Sequence, residues 1–243
     1  MHRVIIAQKS LIDRPVHARS RPAFTLVELL VVLVIIGMLA SMVSFAMFRS
    51  MQAAREAKTQ ALISKIHGVI ARHWDTFETG QPPSNMTVAA WMADEMPCTD
   101  SEFNQSTLFS STLGLSVSAT DADAQCLYQI VLQLADDDLD RINLFSENET
   151  RDISDPEDGT PDIFIDAWGQ PIHFVRQPTG FTDSDINDPT AANPLTGGTG
   201  LYFPLIYSCG SDKTKGLADE TGIPSGNEHL DNIHNHRMNA RLQ

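Results

Sequence analysis

Residues 29–48 form a run of twenty residues in which only Gly37, Ser41 and Ser44 are not strongly apolar. A helix of that length rises roughly 30 Å, about the hydrocarbon thickness of a bilayer. A cleaved secretory signal has an apolar core of about 7–15 residues followed by small residues. The run is longer than that, although Ser44-Phe45-Ala46 offers a poor cleavage site, so a helix retained in the membrane is the better account. Before Phe24 stand Arg3, Lys9, Arg14, Arg19 and Arg21 against Asp13 alone. Positive flanks stay cytoplasmic, which places the rest of the chain outside, as the external domain of a single-pass protein. One carboxylate, Glu28, opens the run. An ionisable group in a membrane helix is costly and commonly functional; a plain position at headgroup depth is the alternative.

The helical pattern continues past the run. Ala54, Ala57, Ala61, Leu62, Ile66, Val69, Ile70, Trp74 and Phe77 recur at three- and four-residue spacing, the pattern of an amphipathic helix. Gly80, Pro82 and Pro83 stop it. From Phe24 such a helix spans roughly 80 Å.

Beyond it the reading is coarser. Met86–Met96 is a short helix, and Ala124–Leu134 places Leu127, Ile130, Val131 and Leu134 on one helical face, ended by the acids at 136–140. Residues 146–160 form a polar loop. "DIFID" (162–166) and "PIHFVR" (171–176) read as strands joined by a hairpin turn over Ala167-Trp168-Gly169-Gln170. Residues 177–200 are a long loop, "LYFPLIYS" (201–208) is a third strand, and the tail after Gly210 is polar.

The stretch "AFTLVELLVVLVIIGMLA" resembles the prepilin-type cleavage and methylation signal of type IV pilins and type II secretion pseudopilins. The matching residues are Phe24, Thr25, Leu26, Val27 and Glu28, after a basic leader and before the apolar run. The resemblance implies cleavage between Ala23 and Phe24 by prepilin peptidase, methylation of the Phe24 amine, and extraction into a helical filament. There Glu28 would pair with the amine of a neighbouring copy, a register-setting contact between charges that are each penalised alone. The family usually has Gly before the cut, where this chain has Ala23.

Two further motifs are similar to those of the type II secretion major pseudopilin. Asp166, Ala167, Trp168, Gly169, Gln170 and Pro171 match its Asp-x-Trp-Gly-x-Pro turn, with Ile172 in place of an aromatic. Ser208, Cys209, Gly210, Ser211 and Asp212 match a Ser-x-Gly-x-Asp loop. The resemblance implies an α+β pilin-like lollipop, with one long N-terminal helix on a small antiparallel sheet and extra short helices. Its parts are a basic leader (1–23), a membrane and filament-core segment (24–48), an amphipathic half-helix (49–79), a helical and loop insertion (80–150), and a sheet with a C-terminal loop (151–243). The family's connection is usually shorter than 80–150. The resemblance also implies calcium held by Ser208, Asp212, Asp219 and Glu220, with Lys213 where the family usually has Gly.

Composition limits the other classes. The chain carries −14; residues 1–23 hold five Lys/Arg and one Asp, so the side chains from Phe24 onward carry −18. Such acidity argues against nucleic-acid binding. Cys98, Cys126 and Cys209 contain no C-x-x-C pair. A Cys98–Cys126 bridge would stabilise by roughly 3 kcal/mol, and free buried thiols are the alternative. No Gly-x-Ser-x-Gly, P-loop or His-Glu-x-x-His occurs. His229, His234 and His236 form a possible metal cluster or a solvated tail, and the Asp runs at 121–123 and 136–140 read as solvated surface. "DPEDGTPD" (155–162) lacks EF-hand ligand spacing.

These readings converge on a structural subunit of a type II secretion pseudopilus, not an enzyme. Its partners would be prepilin peptidase, copies of itself, other pseudopilins and an inner-membrane assembly platform. It would sit in the bacterial inner membrane with its C-terminal domain in the periplasm. The alternatives are a type IV pilus subunit for adhesion, motility or DNA uptake, and a membrane-anchored periplasmic protein that forms no filament.

Overall fold

The computed structural model describes residues 25–109, 117, 121–135, 145–151, 162–179, 188–192, 199–201, 203–217 and 232–235. The fold is α+β: one long N-terminal helix, short helices and a small three-stranded antiparallel sheet. The chain divides into two compact units, Met1–Arg49 and Ser50–Gln243.

Helix α1 runs Leu26–Thr79 without interruption. In the first unit its apolar side chains are exposed, and even Val32, the least accessible of them, is 46 % exposed. Its hydroxyls are satisfied within the helix, Ser41 donating to the Met38 carbonyl at 2.7 Å and Ser44 to Ala40 at 2.8 Å. Both bonds remain available in hydrocarbon. In the second unit the helix buries one stripe: Leu62, Ile63, Ile66, Val69, Ile70, Trp74 and Phe77.

Helix α2 (Val88–Glu95) begins at Thr87, whose hydroxyl accepts from Ala90 N–H, and buries Met92. Helix α3 (Asp100–Gln105) begins at Thr99, whose hydroxyl accepts from Glu102 N–H, and buries Phe103. Helix α4 (Ala122–Leu134) buries Cys126, Leu127, Ile130 and Val131. Strands β1 (Thr150–Arg151) and β2 (Ile163–Phe164) pair antiparallel. Strands β3 (Ile172–Val175), β6 (Leu205–Ser208) and β7 (Ile233–His234) form the three-stranded sheet with β6 in the middle. Strands β4 (Asp188–Ala192) and β5 (Thr199–Leu201) make a separate pair.

Alternation along β3 and β6 builds two cores. Ile172, Phe174 and Ile206 join the main core with α1, α2, α3 and α4 residues, while Val175, Leu205 and Tyr207 meet Leu217 on the opposite face. The sheet is therefore covered on both sides, and every residue of β3 and β6 is buried.

Several strand expectations are corrected. The hairpin of 162–166 with 171–176 reduces to one bridge, Ile165 with Pro171. β2 pairs instead with β1, inside the stretch read as a polar loop, and β3 pairs with β6. The third strand, read over 201–208, is split by Pro204, which has no N–H for a ladder. The loop read over 177–200 contains β4 and the start of β5. The polar tail returns as β7, with His234 buried. The turn chemistry was right, but the strands flanking it pair with distant segments.

Candidate functional site

Two places carry the sequence motifs, one in each compact unit. The first is the start of α1. Thr25 supplies the carbonyl for the first helical bond, from Leu29 N–H. Its hydroxyl accepts from Glu28 N–H at 3.2 Å. Glu28 reaches back, its Oε2 accepting from both the Thr25 N–H and hydroxyl at 2.9 Å. This is a reciprocal capping box of the form Thr-x-x-Glu, which satisfies N–H groups that a helix start otherwise leaves unpaired. The carboxylate also lies at the positive end of the helix dipole. Glu28 thus has a structural role within its own chain, and the Thr-Leu-Val-Glu spacing was the signal for it. Ala23 and Phe24 lie outside the described residues.

The second place joins the two sheet motifs. Asp166 is buried at the turn after β2. Its Oδ1 accepts from the Trp168 and Gln170 N–H groups, both at 2.8 Å. Its Oδ2 accepts from the Ser208 hydroxyl at 2.6 Å, and that hydroxyl in turn accepts from Gly210 N–H. One carboxylate therefore folds the turn and ties it to the end of β6. Gly169 and Gly210 take φ of 77° and 74°, a region where a side chain is costly. The turn also reaches α1: the Ala167 N–H donates to the Thr59 hydroxyl at 3.1 Å, and Trp168 Nε1 donates to Gln52 at 3.2 Å. The two motifs, 42 residues apart, are a single structural unit, which sequence alone did not link.

The expected calcium ligands are only partly described. Ser208 is buried with its hydroxyl committed to Asp166. Asp212 is exposed, and its Oδ1 accepts from Thr214 N–H at 2.8 Å. Asp219 and Glu220 lie outside the described residues. Among the described residues no three His, Cys, Asp or Glu side chains are grouped to hold a metal. His229 and His236 also lie outside them, and His234 is buried in β7.

Buried and half-buried charges elsewhere act as struts. His173 Nδ1 lies 2.8 Å from Asp123 Oδ2, joining α4 to β3, with Lys215 at 3.9 Å. Burial opposes ionisation of Asp123, but the His173 hydrogen bond and the His173 and Lys215 charges outweigh it and hold the carboxyl below its usual range. Arg176 donates to both oxygens of Glu102, at 2.7 and 2.9 Å, and to the Met96 carbonyl. Burial likewise opposes ionisation there, and the arginine prevails. All three cysteines are free thiols. Burial pushes Cys98 and Cys209 up to about 12 and Cys126 higher still, which favours the protonated thiols at neutral pH.

Residues 19–44 match the prokaryotic N-terminal methylation motif. No curated protein and no solved structure matches the chain. The motif indicates a type IV pilin-like protein, processed by prepilin peptidase and assembled with other pilin-like subunits. It marks a structural subunit and not an enzyme. With a helix long and apolar enough to cross a membrane at Leu26–Phe77, it fits a membrane-anchored protein.

Proposed function

We propose that this protein is a structural subunit of a type II secretion pseudopilus, anchored in the inner membrane with its C-terminal domain in the periplasm. The observation that carries this reading is Glu28 at the head of an exposed apolar helix, inside the methylation motif. On cleavage after Ala23, the Phe24 amine gains a charge beside this carboxylate's place in the helix. In a bundle of such helices, amine and carboxylate of neighbouring copies neutralise one another, and either alone is penalised. The secretion assignment over a surface pilus is supported by the Asp166 turn and the Ser208 loop, which resemble those of the major pseudopilin and are joined by hydrogen bonds here. Intact-mass and peptide mass spectrometry of the membrane-extracted protein tests the first step. A mature chain beginning at methylated Phe24 is expected; a chain retaining Met1, or cut far from Phe24, overturns the reading. A long filament on the cell surface at native expression would instead favour a pilus.

Calcium belongs to the same proposal, with Asp212, Asp219, Glu220 and a Ser208 carbonyl as ligands. Asp212 supports it by its exposure in the loop after β6. Metal bound only by the folded chain raises its melting temperature with concentration. A melting temperature indifferent to both added calcium and chelator removes calcium and leaves the filament reading standing.

A further inference from the structure

The head begins to cover α1 at one place. Through Met51 every residue of the helix is exposed, and Gln52 is the first that is not. The group that meets it is the turn after β2. Trp168 Nε1 donates to the Gln52 side chain at 3.2 Å, and Ala167 N–H donates to Thr59 two turns further on at 3.1 Å. The Trp168 end of this turn is therefore the edge of the head that stands nearest, along the chain of α1, to the apolar run. Gln52 follows Phe48, the last residue of that run, by four positions. Four residues reach about 6 Å as helix and at most about 14 Å fully extended, so the nearness holds at any angle between the two units. The headgroup layer extends about 5–8 Å beyond the hydrocarbon in each leaflet.

The chemistry of this edge suits a headgroup layer. Trp168 is half-buried, with its N–H held by Gln52 and part of its ring left to solvent. An indole with a satisfied polar end and an open apolar body is the side chain enriched where hydrocarbon meets water. Arg55 comes one turn after Gln52 and about 60° around the helix from it, on the side that the Trp168 turn occupies. It is exposed and has no ion-pair partner among the described residues. Side chains on a helix lean toward its N-terminus, which here is toward the apolar run. The wider charge pattern agrees. Residues 49–58 hold Arg49, Arg55 and Lys58 against Glu56 alone, whereas residues 80–243 hold seven Lys/Arg against 26 Asp/Glu.

We propose that the Trp168 turn and Arg55 form a foot on which the head of the anchored subunit meets an anionic phospholipid surface. The indole lies at headgroup depth and the guanidinium on a lipid phosphate. The inference rests on the membrane-anchored reading and is independent of which filament the subunit joins. Two observations name the partner. The apolar run needs hydrocarbon, and it brings the foot to the surface of whatever bilayer supplies it. A phosphate surface also complements an exposed, unpaired guanidinium. The same surface repels the acidic remainder of the head, which confines the contact to this edge.

The test reconstitutes the full chain into vesicles of equal parts phosphatidylglycerol and phosphatidylcholine. Their acyl chains are brominated either near the headgroup or near the methyl end, and bromine quenches tryptophan on contact. The chain has three tryptophans; Trp74 is buried and Trp91 packs against the head core, so only Trp168 should report lipid. Shallow bromination should remove up to its share of the emission, and deep bromination should remove less. Trp168→Phe keeps the backbone bond from residue 168 to Asp166 and should lose the quenching. Arg55→Gln, at an exposed site, should melt at the wild-type temperature and weaken docking of the foot about fivefold, the worth of one basic residue near an anionic surface. High salt should act in the same direction. Equal shallow quenching in the wild type and Trp168→Phe, or none in either, overturns the foot while flotation with the vesicles leaves the anchor standing. Trp168 quenching indifferent to Arg55→Gln, to salt and to removal of phosphatidylglycerol overturns the anionic surface as its partner. A chain that does not float with the vesicles overturns anchor and foot together.

Discussion

The two compact units use the same helix in opposite ways. Up to Arg49 the helix is apolar all round and exposes Leu29, Val31, Leu33, Ile35, Ile36 and Leu39. From Ser50 on, the same element buries one face against short helices and a sheet and, Met51 apart, leaves the other polar or small. A soluble monomer does not present so continuous an apolar surface. The first unit is thus unfinished until lipid or other copies cover it, whereas the second encloses a core of its own. Sequence changes in the two units should separate by observable: assembly in the first, melting temperature in the second.

The largest expected effect lies at Glu28. Glu28→Ala should leave cleavage intact and abolish assembly. The capping box complicates that substitution, since alanine also removes the acceptor for Thr25 N–H. Glutamine serves a capping box as well as glutamate does, so Glu28→Gln keeps the helix start and removes only the charge. Both variants should be cut and fail to form filaments. Filaments from Glu28→Gln at normal yield would mean that the cap, and not the charge, is what assembly needs.

Next comes a matched pair of core and non-core truncations. Trp74 is 2 % exposed in the head core, and Trp74→Ala should cost about 3–5 kcal/mol of stability. Leu39 is 58 % exposed, and Leu39→Ala should change the melting of the detergent-solubilised chain by less than about 0.5 kcal/mol. Its effect should appear in filament yield instead. Equal melting losses would show that the two units are not separate in stability.

Asp166 is the largest single polar contribution expected in the head. Asp166→Ala strands the Trp168 and Gln170 N–H groups and the Ser208 hydroxyl together. Each buried group left unsatisfied costs about 1–3 kcal/mol, partly relieved by water. A loss of about 3 kcal/mol is expected by chemical denaturation, against about 1 kcal/mol for Ser208→Ala. If the two variants lose the same amount, the carboxylate is not the hub of the turn.

What the sequence revealed follows physical range. The helix was legible because its signal is local and repeated over many turns, and Gly80 with Pro82 and Pro83 punctuates its end. The Asp166 turn was legible because a side chain acting on its own neighbours leaves a compact motif. The pairing of β3 with β6 was not, since Ile172 meets Ser208 across a long intervening chain and no local pattern encodes that register. β4 reads Asp-Pro-Thr-Ala-Ala and β7 is two residues in a polar tail, so neither has the composition of a strand. The strut from His173 to Asp123 was missed for the same reason: Asp123 sat in a run that looked like solvated surface.

That strut gives the head an acid limit. The folded carboxyls of Asp123 and Glu102 titrate below their unfolded values. Their stabilisation is therefore complete above the unfolded range near pH 4 and is lost as pH falls through the folded values. The contribution of these two pairs should hold from neutrality to about pH 5, and the melting temperature should decline steeply below about pH 4 as that contribution is lost. Glu102→Gln should flatten part of that decline. A melting temperature that is level down to pH 3, or a decline that Glu102→Gln leaves equally steep, would falsify the assignment.

The smallest expected effect is at Lys213, and it runs toward stability. Lys213 has φ of 63°, the only positive φ of a non-glycine residue among the described ones. For a residue with a Cβ that conformation costs roughly 1–2 kcal/mol. Glycine adopts it freely but loses more backbone entropy on folding, which returns roughly 0.5–1 kcal/mol of the gain. The side chain is exposed, so little packing is lost. The turn is also held without it, since Asp212 accepts from Thr214 N–H. Lys213→Gly should therefore stabilise the head by about 0.5 kcal/mol, a rise of about 1–2 °C in melting temperature for a unit of this size. Lys213→Ala removes the charge but keeps the strain, and should leave the melting temperature near that of the wild type. If alanine stabilises as much as glycine, the gain comes from removing a charge and not from relieving the backbone.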